Sequence, residues 1–317
     1  MRFALEVSFM ARNFGSVYIG SKYSFRPGEI AAKFPPLNRC FKRILPNFYY
    51  FLYYMQEARK PRILITNDDG VGSANMHALA GALSPFGEVF VFAPKSEQSG
   101  VSHAFTVRRG LEVKEIPCND GYRVFSMDGT PADCTKFALG HFASHGLEVT
   151  AGHGPGAFDV CFSGVNVGEN SGVSSLYSGT VAGAREAALW GVPGIALSLR
   201  GTGVALLPAA IDFAVKIVEK RLFENIPAGI FWNVNFPKAT AETFKGFKAT
   251  RMALGMFTDH YSHDGGLWQL DGDKLWDEQP VDSDDYLLNQ GYATVTPHRI
   301  DQTDEKSLKE INEMLEE

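Results

Sequence analysis

From residue 61 onward, short apolar runs alternate with helix-patterned stretches, and no other feature restricts the fold as much. Arg62–Thr66 (RILIT) and 89–93 (VFVFA) read as buried strands, because each is a continuous β-branched or aromatic run bounded by turn residues. Between them Met76, Leu79, Ala80 and Leu83 recur at i, i+3, i+4 and i+7, the spacing of one helix face. Gly129-Thr130-Pro131-Ala132-Asp133 predicts a helix start: Thr130 as N-cap, Pro131 in the first turn, Asp133 three residues after the cap. A further strand is expected over 158–163, then a Gly/Asn/Ser loop to Tyr177. An Ala-rich helix over 180–190, a strand Gly194–Leu199 and a helix over 206–222 follow. Strand, loop and helix in this order require crossover connections, so the expected fold is α/β with a mainly parallel sheet covered on both faces. In such sheets ligands gather at the carboxyl ends of the strands.

After Phe236-Pro237 the pattern changes. Strands are expected at 245–252 and 291–297 around a long polar and aromatic stretch, and a charged helix over 304–316. The organisation read from this is an N-terminal extension (1–60), a core (61–240) and an appended β-rich arm with a C-terminal helix (241–317). No internal repeat is visible.

A net charge of −6 argues against coating nucleic acid, whose phosphates select basic surfaces. Cys40, Cys118, Cys134 and Cys161 show no CxxC and no short His spacing, so neither a disulfide framework nor a zinc site is expected. A reducing, cytoplasmic compartment is the default. Residues 1–60 nevertheless carry ten Lys/Arg against three Glu. Their aromatic run at 44–55 (ILPNFYYFLYYM) is broken by Pro46 and Asn47 and falls short of the ~20 apolar residues that span a bilayer. Three readings of this head stand: a targeting or membrane-surface segment, a partner-binding arm, or upstream sequence preceding a true start at Met55.

Thr66-Asn67-Asp68-Asp69-Gly70 follows the first strand directly. Adjacent carboxylates repel unless a cation neutralises them, and Gly70 and Gly72 permit a sharp exit from the strand. A solvated Asp-Asp-Gly turn is the alternative. Ser96-Glu97-Gln98-Ser99-Gly100 and Ser163-Gly164-Val165-Asn166-Val167-Gly168 follow two further strands and bring polar oxygens to the same edge. Two carboxylates, a hydroxyl and an amide suit a hard cation such as Mg²⁺ or Mn²⁺. Tyr177-Ser178-Gly179-Thr180 then leads into a helix, and reads either as a phosphate cradle or as an ordinary Ser/Thr cap.

These motifs, in this order and at about these separations, resemble the survival-protein SurE family. Asn67-Asp68-Asp69-Gly70, Ala93-Pro94 with Ser99-Gly100, Gly129 to Asp133, Ser163 to Gly168 and Tyr177 to Val181 carry the likeness. The stretches 233–237 (NVNFP) and 291–297 support it. The resemblance covers about residues 61–300 and implies a Rossmann-like core and a metal-dependent 5′/3′-nucleotidase and acid phosphatase. It also implies homodimers or homotetramers assembled through the C-terminal arm. Carried over residue by residue, one divalent cation per subunit falls on Asp68, Asp69, Ser99 and Asn166. Phosphate contacts fall on Ser178, Gly179 and Thr180, with Asn67 and Asn170 as weaker candidates. This chain departs from the family's usual pattern at Ser73-Ala74-Asn75 and at Lys95-Ser96, and the second departure bears on substrate preference.

The expected chemistry is hydrolysis of nucleoside monophosphates by a cation-activated water, with Asp68 or Asp69 taking the proton. An aspartyl-phosphate route wants an Asp-x-Asp spacing, whereas the carboxylates after the first strand are adjacent. The alternative from a different class is a nucleotide-binding regulatory protein without turnover. Among the histidines, His103 is either a substrate contact or a surface group, His77 is expected to face solvent, and His260 and His263 are expected on the surface. Phe257, Tyr261, Trp268, Trp276 and Tyr286 suit either base stacking or subunit packing.

Overall fold

The structure is a computed structural model that describes residues 60–145, 158–201, 204–255, 257–276 and 279–316. The N-terminal extension therefore lies outside the described residues, Lys60 excepted. The strands are β1 (Arg62–Thr66), β2 (Glu88–Pro94), β3 (Val113–Ile116), β4 (Arg123–Met127), β5 (Val160–Val167), β6 (Gly194–Leu199), β7 (Ile230–Phe236), β8 (Phe247–Ala249), β9 (His260–Asp264), β10 (Leu267–Asp271) and β11 (Ala293–Arg299). The α-helices longer than one turn or bordering the site are α1 (Ala74–Leu83), α2 (Pro131–Phe137), α3 (Ser174–Tyr177), α4 (Gly179–Leu189), α5 (Leu207–Glu219), α6 (Asp284–Asn289) and α7 (Glu305–Leu315).

Among the described residues the main sheet has nine strands in the order β3-β4-β2-β1-β5-β6-β7-β11-β8. Neighbours from β4 to β7 all run parallel, and β3 and β11 pair antiparallel with β4 and β7. This is the expected α/β architecture. Alternation along the strands explains why they read as unbroken apolar runs. Ile63, Ile65, Val89 and Val91 pack with Met76 and Leu79 of α1 and Ala210 and Ala214 of α5. Leu64, Phe90 and Phe92 pack on the opposite face with Cys134 of α2 and Ala187 of α4.

Helix α2 begins where Thr130 predicts it. Asp133 N–H donates to Thr130 Oγ1 (3.1 Å), and Thr130 N–H donates to the Asp133 carboxylate (3.0 Å), a reciprocal cap. Helix α4 lies unusually close to the sheet because small residues line the contact. A Cβ added to Gly183 would come within 2.6 Å of Thr66 Cγ2, and one added to Gly194 within 2.0 Å of the Ala184 carbonyl oxygen.

Five strands sit where the sequence reading has none: β3, β4, β7, β9 and β10. The segment expected as a loop after residue 163 instead prolongs β5 to Val167, with a register shift between Gly164 and Asn166. The sheet also continues past residue 240. β11 inserts between β7 and β8, so part of the expected arm belongs to the central layer. The β9–β10 hairpin forms a separate two-stranded sheet whose residues are all exposed, and α7 buries none of its residues. Among the described residues no helix is long and apolar enough to cross a membrane.

Replacing Gly194 with Ala should lower stability by about 1–3 kcal/mol through overpacking against α4. A urea midpoint equal to wild type would contradict the close approach of α4 to β6.

Candidate active site at the carboxyl edge of the sheet

The turn after β1 is built by its own sequence. Gly70 adopts φ +94°, and a Cβ there would sit 3.2 Å from the Ser96 backbone carbon, so glycine lets the two loops touch. Asn67 Nδ2 donates to the Gly70 carbonyl oxygen (2.9 Å) and closes the turn. Gln98 N–H donates to the Asp68 carbonyl oxygen (2.8 Å) and Val71 N–H to that of Pro94 (2.7 Å), which fastens the loop after β2 onto it. From the other side comes the start of α4. Ser178 caps this helix by accepting from Val181 N–H (3.0 Å). Thr180 N–H donates to Asp68 Oδ2 (3.0 Å) and the Thr180 hydroxyl donates to Asp68 Oδ1. Gly179 lies against both: its added Cβ would meet Asp68 Cβ at 3.0 Å and the Gln98 carbonyl oxygen at 3.2 Å.

Asp68 is 6% exposed. Burial pushes its carboxyl up, against the pull of the Thr180 donors. Asp69 is raised to about 6, first by burial and then by repulsion from Asp68 and Glu97. Such a site disfavours its own negative charge. The neutral oxygens nearby have their hydrogens turned elsewhere. The Ser99 hydroxyl donates to Glu97 Oε1 (2.6 Å), and Asn166 Nδ2 donates to the Gly168 carbonyl oxygen (2.7 Å). Both residues thus retain acceptor lone pairs. Among the described residues no three His, Cys, Asp or Glu gather in a metal-holding group. Asp68, Asp69, Ser99 and Asn166 offer an oxygen-only set, the donor type that a hard ion takes.

Asn170 is placed differently from the other predicted contacts. Its backbone N–H donates to Asn235 Oδ1 (2.8 Å), its Nδ2 to Ser198 Oγ (2.9 Å), and its carbonyl oxygen accepts from Asn233 Nδ2 (2.8 Å). These bonds tie the loop after β5 to β6 and β7. The sequence reading missed this role of Asn233 and Asn235, and the signal was two Asn alternating in an apolar strand. It also missed Glu97 as a charge acting on the Asp pair.

His77 is half-buried rather than solvent-facing. Its ring nitrogens pair with the Tyr122 hydroxyl (3.0 Å) and the Val71 carbonyl oxygen (2.9 Å), because β4 and the Asp turn close over α1. His103 pairs with Glu186 of α4 (2.8 Å). Burial would raise the Glu186 carboxyl, but bonds from His103, Lys136 and Trp190 prevail and hold it at about 2. His260 and His263 lie on the exposed hairpin with Tyr261 and Trp268. Trp276 instead carries the Arg200 guanidinium 3.6 Å from its ring centre.

The sequence model of the family described as "Survival protein SurE" matches residues 63–259. The chain belongs to this family. A SurE 5′-nucleotidase of Thermosipho africanus is 34% identical over 260 residues, 80% of this chain and 98% of that protein. The SurE 5′-nucleotidase of Pseudothermotoga lettingae is 35% identical over 259 residues, 80% of this chain and 94% of its own length. The crystal structure of the SurE protein from Aquifex aeolicus superimposes with a TM-score of 0.67 at 31% identity, covering 81% of this chain and 100% of that one.

The raised Asp69 carboxyl has a thermodynamic consequence in cation-free protein. Folding favours its protonated form, so its stabilising contribution is full below pH ~3.8 and is lost as the pH rises through about 6. In EDTA, the thermal midpoint of wild type relative to Asp69→Asn should therefore fall between pH 4 and 6.5. A difference that stays flat would show that Asp69 ionises unhindered.

Proposed function

We propose that this SurE-family chain is a nucleotidase: a divalent-cation-dependent phosphomonoesterase that hydrolyses nucleoside 5′- and 3′-monophosphates to nucleoside and phosphate. The observation that carries the proposal is the double grip of Thr180 on Asp68. It joins the carboxylate edge of β1 to the first turn of α4, where a helix start favours an anion. A cation site and a phosphate site are thereby parts of one rigid arrangement. The printed activity of the bacterial relatives supports the same reading.

One Mg²⁺ or Mn²⁺ per subunit would be held by Asp68, Asp69, Ser99 and Asn166, and when bound it supplies charge neutralisation and water activation for attack on phosphorus. Asp68, held by Thr180, anchors. Asp69 is less buried and is the carboxylate suited to take the proton of the attacking water. In the turn Ser178-Gly179-Thr180, Ser178 and Gly179 receive the phosphate, while Thr180 gives its N–H and hydroxyl to Asp68 and holds the turn in place. Asn67 and Asn170 spend their amide hydrogens within the protein, so their share is to brace the two loops. Residues 241–317 are the proposed assembly region of a homodimer or homotetramer, and the compartment is cytoplasmic.

Phosphate release from a panel of nucleoside 5′- and 3′-monophosphates should vanish in EDTA and return with Mn²⁺ or Mg²⁺. Asp69→Asn should lower kcat on the order of 100-fold or more while leaving the fold intact. Nucleotide binding without release under any cation would replace this proposal with a regulatory binding role.

A further inference from the structure

A second pair of adjacent carboxylates lies on the other side of the loop that follows β5. Asp284 and Asp285, in the first turn of α6, are fully buried. Asp284 is satisfied by backbone: Gly172 N–H donates to its Oδ2 (2.8 Å), and Ala253 N–H (2.8 Å) and Asp285 N–H (2.9 Å) donate to its Oδ1. Asp285 is satisfied differently. Its Oδ1 accepts from the Ser171 hydroxyl (2.6 Å) and pairs with Lys274 Nζ (2.6 Å), whose side chain is only 4% exposed. The same ammonium donates to the Ser171 carbonyl oxygen (2.8 Å). Asp285 Oδ2 has no partner, and Gly172 presses on it so closely that an added Cβ would lie 2.3 Å away.

Three separate pieces of chain meet at this ion pair. Lys274 follows the β9–β10 hairpin, Asp285 belongs to the helix that precedes β11, and Ser171 sits between Asn166 and the Ser178 turn. Lys274 also lies over the rings of Trp276 (4.7 Å) and Phe257 (5.7 Å), which shield the pair from water. Replacing a buried pair by apolar groups is often neutral, whereas removing one partner strands the other charge. Such a pair is therefore suited to fixing position rather than adding stability.

We propose that Lys274, Asp285 and Ser171 form a buried latch through which the β9–β10 hairpin sets the loop 170–178 for substrate. They are positioning residues, and their effect on turnover rests on the nucleotidase reading above. The loop bears the phosphate turn at one end and adjoins Asn166 at the other, so a displaced loop weakens substrate binding before it alters the carboxylates of β1.

The test compares Lys274→Met, Ser171→Ala and the double variant Lys274→Met/Asp285→Asn with wild type. Two readouts are used: steady-state phosphate release, and amide hydrogen exchange of residues 170–176 in the full chain. Lys274→Met should raise KM on the order of 10- to 100-fold with a smaller change in kcat, and speed exchange in the loop. The double variant strands no charge but also lacks the latch, so its KM should stay raised and its loop exchange fast. Ser171→Ala keeps the ion pair, so it decides the matter if Lys274→Met does not fold: it should speed loop exchange and raise KM. Wild-type KM and wild-type exchange in Lys274→Met and Ser171→Ala would overturn the latch. So would a double variant with wild-type KM and exchange, since that would leave only the stranded charge to explain the single variant. If wild type releases no phosphate at all, the nucleotidase reading fails by itself, and the exchange data still decide the latch.

Discussion

A carboxylate taken out of water loses several kcal/mol of solvation unless hydrogen-bond donors replace what it gave up. Asp68 meets that demand with the N–H and hydroxyl of one residue, Thr180. The contact requires the first turn of α4 to lie directly on the end of β1. Gly179, Gly183 and Gly194 make this possible, since a Cβ at any of them would collide with the strand edge or the helix. The small residues that sink α4 onto the sheet thus bring Thr180 to Asp68. The remaining loops then close around a carboxylate already in place.

The site is consequently framed by two acidic pairs of opposite character. At Asp68 and Asp69 charge is only partly compensated, both carboxyls are pushed up, and neutral oxygens with turned-away hydrogens stand by. At Asp284 and Asp285 compensation is internal, from backbone N–H groups and a buried lysine. The first arrangement keeps an excess of negative charge, and the second balances its own. Between them runs the loop 168–178, fastened to β6 and β7 by Asn233, Asn235 and Ser198 and to α6 by Ser171 and Gly172. Outside the single turn of α3, side-chain hydrogen bonds rather than secondary structure hold it.

β1, β2, β5 and β6 were legible because burial on both faces leaves a continuous apolar run, whereas Asn233 and Asn235 interrupt that run in the equally central β7. Thr130 and Asp133 were legible for a local reason, since a capping box needs only residues three apart. β3 was missed because an exposed edge strand (VKEI) carries polar side chains and loses the signal, and β4 (RVFSM) because Arg123 and Ser126 break its short buried run. The Ser163 to Gly168 motif was read as loop for its Gly and Asn content, yet it prolongs β5 through a register shift. His77 was placed on the solvent side by helical spacing alone, which carries no information about the Tyr122 hydroxyl that covers it.

What the sequence by itself determined is the α/β class, the order of its central elements, the family, and the residue types gathered at the carboxyl edge. These follow from apolar periodicity and from short motifs, both local in the chain. Tertiary structure alone decided that Thr180 spends its donors on Asp68, 112 residues away, and that Lys274 reaches Ser171 across 103. It also decided that β11 enters the main sheet between β7 and β8. Such pairings depend on which surfaces the folded layers press together, and no local pattern of side chains records that distance.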